Sequence, residues 1–160
     1  MSVAFTREDS AQTAQEVSLP ERLISQHPNL VTQDGWRALE AAAAGSQVAL
    51  ATARRVEAAD ERRRAVELAL RDLSYFSERL RSAEIVAAPT SLDVVAFGRR
   101  VAIARDDGRR QTYRIVGEDE ADPSAGSISF VSPLARAMLG KTVGDVVEVG
   151  AREIEILAIA

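Results

Sequence analysis

Six apolar residues, Val66, Ala69, Leu73, Phe76, Leu80 and Ala83, recur at strictly alternating steps of three and four. That spacing draws one stripe along a helix and favours pairing with a second helix, because a single helix cannot bury its own stripe. The partner lies just upstream, where Trp36, Leu39, Ala43, Ser46, Leu50 and Ala53 form a similar stripe of smaller residues. Thr32 reads as the N-cap of the first helix, with Asp34 in the first turn where it suits the helix dipole. Two such helices close together in sequence predict an antiparallel hairpin over residues 32–83, turning near 56–60, with Asp60 as the cap of the second helix. Arms of about 25 residues give a length of roughly 35–40 Å.

After Pro89 the period changes from helical to alternating. Residues 94–97, 100–104, 111–116, 127–131, 145–149 and 153–157 read as strands, and Asp106-Asp107-Gly108 as the turn joining the second and third. Between them, Ser132, Pro133 and Gly140 have the order of an N-cap, a first helical residue and a C′ residue, marking a short helix over 133–139. The fold class expected is α+β: a helical hairpin followed, over residues 84–160, by a small twisted antiparallel sheet with one short helix.

Residues 1–31 are polar, contain Pro20 and Pro28, and show no period, so they read as a mobile arm. The opening stretch carries acids and lacks an apolar segment, which is unlike a secretory signal. No apolar run reaches the roughly 18–20 residues that span a bilayer. The absence of cysteine excludes disulfides and thiolate chemistry. A monomeric cytoplasmic protein with no membrane contact is the expectation.

The net charge of −4 is unevenly spread. Residues 32–83 hold nine arginines and eight acids, whereas 84–160 hold nine basic and twelve acidic residues. No segment is strongly basic, so sequence-specific nucleic-acid binding has no electrostatic support. The single histidine, His27, lies in the arm with no nucleophile nearby, and the nine glycines form no phosphate-cradling loop. No zinc or calcium spacing is present, so neither a catalytic residue, a metal ligand nor a cofactor is assigned. Two acidic clusters remain: Glu118, Asp119, Glu120 and Asp122 after the third strand, and Glu57, Asp60 and Glu61 at the hairpin tip. By composition alone each reads as a solvated loop.

The blocks Thr112-Tyr113-Arg114-Ile115-Val116-Gly117-Glu118-Asp119-Glu120-Ala121-Asp122 and Val131-Ser132-Pro133-Leu134-Ala135-Arg136-Ala137-Met138-Leu139-Gly140-Lys141 resemble the C-terminal domain of bacterial Gre transcript-cleavage factors. Val95-Ala96-Phe97-Gly98 and Gly144-Asp145-Val146-Val147 fall in the matching order around them. Resemblance to the GreA/GreB-like superfamily implies an FKBP-like C-terminal domain that docks on RNA polymerase at the secondary channel, while the coiled coil enters the channel. It makes Glu118, Asp119, Glu120, Asp122, Ser132, Pro133 and Arg136 the docking candidates.

The tip departs from the family. Cleavage factors carry an acidic pair there that helps hold a second Mg²⁺ in the polymerase active site. Here Glu57, Asp60 and Glu61 are hemmed in by Arg54, Arg55, Arg62, Arg63 and Arg64, whose charge opposes metal binding. The family's hairpin is also longer by about two heptads, a difference of roughly 10 Å in reach. A polymerase-binding regulator with weak or absent cleavage stimulation follows, akin to the short-coiled branch called regulator of nucleoside diphosphate kinase. The alternatives are an active cleavage factor using Glu57, Asp60 and Glu61, a coiled-coil adaptor unrelated to transcription, and, by fold analogy alone, a prolyl isomerase, for which residues 84–160 supply too few aromatic residues to line a pocket.

Overall fold

The computed structural model describes residues 18–160. Strand β1 (Leu30–Val31) leads into α1 (Gln33–Ala53), a five-residue turn, and α2 (Ala59–Ser82). Strand β2 (Glu84–Ile85) then pairs in parallel with β1, tying the two ends of the hairpin together. At 1.5 Å per residue the helices are about 32 and 36 Å long.

The α1 stripe faces α2 as its spacing requires, burying Leu39, Ala43, Ser46, Leu50 and Ala53. The first position differs: Gly35 is buried and Trp36 only half-buried, because the helix start is pressed against Glu120 and only a glycine leaves room there. In α2 the stripe residues Leu73, Phe76 and Leu80 are half-buried, and the helix buries only Ala69 and Arg79 fully. A two-helix layer has few apolar neighbours on its outer side, so this core is thin.

The second layer is a five-stranded sheet in the order β5-β4-β3-β7-β6, built from β3 (Arg100–Arg105), β4 (Arg110–Val116), β5 (Ser127–Ser129), β6 (Val146–Val149) and β7 (Arg152–Ile159). Most pairings are antiparallel, and a bulge interrupts β3–β7 between Ala102 and Ile103. The exception is β4–β5, which is parallel, so the sheet is mixed. Helix α3 (Pro133–Met138) closes one face, starting from Ser132, whose Oγ accepts from the Ala135 amide at 3.3 Å. Alternating residues Val101, Ile103, Tyr113, Ile115, Ile154 and Ile156 join Ala135 and Met138 in a single core. Each large aliphatic side chain buried there contributes roughly 1.5–3 kcal/mol.

Two further sequence expectations change. Residues 94–97 form no strand: the Val95 amide donates to the Lys141 carbonyl and its carbonyl accepts from Gly140, while Gly98, at φ +82°, turns the chain into β3. Nor does Asp60 cap α2. Ala58 holds that position without a side-chain bond, and the turn is closed by Arg62, whose guanidinium donates to the Val56 and Glu57 carbonyls at 2.8 and 3.1 Å.

Candidate functional site

The parallel pairing of β4 with β5 decides where the candidate residues lie. With Val116 opposite Ser129, the two strands end on the same side of the sheet. The acidic block after β4 and the Ser132-Pro133 block after β5 therefore emerge side by side. Their sequence separation gave no sign of this proximity, since parallel neighbours need no short connection.

The acidic block is a 3₁₀ turn, Glu118–Glu120, and its three carboxylates grip three different elements. Glu118 accepts from the Ser25 hydroxyl at 3.0 Å and lies 3.8 Å from the Arg79 guanidinium. Asp119 accepts from Arg79 Nε and from the Tyr75 hydroxyl, both at 2.5 Å on α2. Glu120 accepts from the Thr32 and Gly117 amides at 2.9 and 3.2 Å and from the Thr32 hydroxyl, which itself accepts from the Gly35 amide. The sheet domain thus supplies a carboxylate to the N-terminus of α1, where the helix dipole favours it.

Burial makes these contacts consequential. Arg79 is 2% exposed, and the Asp119 side chain is 14% exposed although its backbone faces solvent. The Tyr75 phenol is pushed up from its ordinary value of 10.0, first by burial and then by its hydrogen bond to Asp119 and that carboxylate's charge. Glycine permits the junction: a Cβ at Gly117 would run into the Leu30 carbonyl, and one at Gly35 into the Glu120 side chain. Glu118, Asp119 and Glu120 are thus engaged within their own chain, with Glu118 and Glu120 half-buried and Asp119 keeping exposed surface. Charged runs usually solvate, but these find buried polar partners on the hairpin of their own chain.

The other docking candidates face outward. Asp122 is exposed, caps the next 3₁₀ turn through the Ser124 and Ala125 amides, and has its carboxyl held below the ordinary range, first by the Ser124 hydroxyl. Pro133 is exposed at the start of α3 and Arg136 in its last turn, and Ser132 is half-buried as its cap. Asp122, Pro133 and Arg136 thus form the solvent-facing part of the cluster.

At the opposite end of the hairpin, Glu57, Asp60 and Glu61 are exposed. Asp60 pairs with Arg63 one turn on, and among the described residues no three His, Asp or Glu side chains converge as metal ligands would. Sequence reasoning missed the arm. Of residues 1–31, the first 17 lie outside the described residues, but several of residues 18–31 are anchored to α2, to the acidic turn and to β2. Arg22 pairs with Asp72 at 3.1 Å and stacks on the Tyr75 ring at 3.8 Å, and Asn29 donates to the Arg79 carbonyl at 2.6 Å. Polar and stacking anchors without periodicity leave no pattern in a sequence. Among the described residues no helix is long and apolar enough to cross a membrane.

The family described as Transcription elongation factor, GreA/GreB, C-term, matches residues 89–160. Transcription elongation factor GreB of Neisseria meningitidis serogroup B (strain ATCC BAA-335 / MC58) is 41% identical over 95 residues, which is 56% of this chain and 58% of that protein. Transcription elongation factor GreA of Maricaulis maris (strain MCS10) is 38% identical over 109 residues, 64% of this chain and 68% of the relative. The chain spans less than two thirds of the first of these relatives. Among solved structures, GreA factor homolog 1 (Gfh1) of Thermus thermophilus aligns over 84% of this chain and 99% of its own, at 23% identity and a TM-score of 0.40. With 38% identity maintained over 68% of a GreA protein, and with the acidic and Ser-Pro blocks inside the matched domain, the chain belongs to the GreA/GreB family.

Proposed function

We propose that this protein is a non-enzymatic regulator of transcription elongation that binds RNA polymerase. The sheet domain docks at the mouth of the secondary channel, through Asp122, Pro133 and Arg136, and the hairpin points into the channel. Ser132 holds the α3 start in place, while Glu118, Asp119 and Glu120 fix the hairpin on the docked domain. Family membership supports the elongation role, since the relatives carry the name transcription elongation factor. The exposed Asp122 carboxylate and the exposed Arg136 guanidinium each offer a charge to an oppositely charged polymerase surface, which favours encounter.

Cleavage stimulation is weak or absent in this reading. The observation that carries it is the Asp60–Arg63 pair in a tip with five arginines. A carboxylate already neutralised by a guanidinium, among further cations, is a poor ligand for Mg²⁺. The test is a backtracked elongation complex with purified polymerase: binding without accelerated transcript cleavage is expected. Robust cleavage that Asp60→Ala and Glu61→Ala abolish establishes the alternative, an active cleavage factor using the tip acids.

A further inference from the structure

The hairpin tip carries a concentration of positive charge, most of it facing solvent. Residues 54–64 contain five arginines against Glu57, Asp60 and Glu61, in a chain whose net charge is −4. Among the described residues the Arg54 guanidinium has no hydrogen-bond or ion-pair partner, and Arg62 spends one nitrogen on the turn carbonyls, leaving its other N–H groups to donate. Both line an open groove on one face of the hairpin, whose floor is Ala59, Val66 and Leu70 and whose far end is bordered by Glu67. Leu70 is 46% exposed there. The floor runs about 16 Å along α2, with the arginines at the tip end and the carboxylate at the other.

We propose that this groove binds a nucleoside triphosphate, with its phosphate chain on Arg54 and Arg62 and its base on Val66 and Leu70. A guanidinium presents a planar fork of donors that matches phosphate oxygens, and does so while permanently charged. The apolar floor takes a flat base, which a fully hydrated anion would leave uncovered. Glu67 repels phosphate at that end and can accept from an exocyclic amino group, so the charge pattern sets one direction for the ligand. This binding is a property of the free protein and stands apart from the polymerase reading.

The experiment is calorimetric titration of the full chain, without polymerase, with ATP, inorganic triphosphate and a short single-stranded RNA lacking terminal phosphates. Saturable ATP binding that weakens with added salt is expected. Arg54→Glu lowers ATP affinity at least about tenfold. Leu70→Ser weakens ATP but leaves inorganic triphosphate unchanged. Arg110→Glu, the same charge change on an exposed strand end, leaves both unchanged, and circular dichroism verifies that each variant is folded. Absence of saturable ATP binding, an equal loss in Arg110→Glu, an unchanged affinity in Leu70→Ser, or tighter binding of the RNA overturns the proposal.

Discussion

The Arg79 guanidinium, 2% exposed on α2, donates from Nε to the Asp119 carboxylate at 2.5 Å, joining the hairpin to the sheet domain across 40 residues of sequence. Removing one partner leaves the other charge buried, and Glu118 at 3.8 Å compensates only in part. Asp119→Ala is expected to cost about 2–4 kcal/mol, and the paired replacement of Arg79→Met with Asp119→Leu less than the two single costs added. Urea denaturation of both singles and the double measures the coupling.

Glycine substitutions separate the junction from the free helix surface. Gly117→Ala drives a methyl group into the Leu30 carbonyl, part of the backbone of the β1–β2 clasp. It is expected to destabilise by about 1–3 kcal/mol. Gly45 lies inside α1 with open space around it, so Gly45→Ala is expected to stabilise by about 0.5–1 kcal/mol. Thermal unfolding of the two variants should move in opposite directions.

The raised phenol of Tyr75 makes the junction sensitive to alkali. A group whose folded pKa lies above its unfolded one contributes stability that is complete below the ordinary value of 10.0 and is lost as pH rises through the raised value. Ultraviolet titration of the Tyr113→Phe variant, which leaves Tyr75 as the one tyrosine, should show ionisation above that of a free phenol. Asp119→Asn should bring it down only part of the way, because burial is the largest cause.

At low pH the sign reverses. The Asp122 and Asp145 carboxyls are held below their ordinary value of 3.8, first by the Ser124 hydroxyl and the Thr142 amide respectively. Their contribution is present above that value and is lost as pH falls through the depressed one. Carboxylate NMR titration should show Ser124→Ala raising Asp122 while leaving Asp145 in place.

Arg62→Ala removes the clamp on the Val56 and Glu57 carbonyls. Both face water once released, so global stability should fall by less than about 1 kcal/mol. The effect is local: hydrogen exchange of the amides in residues 54–62 should quicken while that of the sheet core is unchanged.

The hairpin, the β3–β4 turn and the caps of α3 were legible in the sequence because each depends on neighbours within a few residues. A 3-4 stripe, Asp107-Gly108, and Ser132 before Pro133 act through local backbone geometry, whatever the rest of the chain does. The misplaced strand at 94–97 shows the limit of that reasoning. Val95 is buried, but Val94 is exposed, and the Val95 backbone groups bond to the loop after α3, which local pattern cannot anticipate.

By itself, the sequence determined the helical hairpin, most of the strands and the family, since periodicity and contiguous motifs are properties of the chain. Only the tertiary structure decided what the acidic block does. Glu118, Asp119 and Glu120 have the composition of a solvated loop, and their partners Ser25, Arg79, Tyr75 and Thr32 are 88 to 93 residues upstream for the first and last and 40 to 44 for the other two. A carboxylate's role depends on which charge lies within a few ångströms of it and how much water remains between them, and both follow from how the hairpin packs on the sheet.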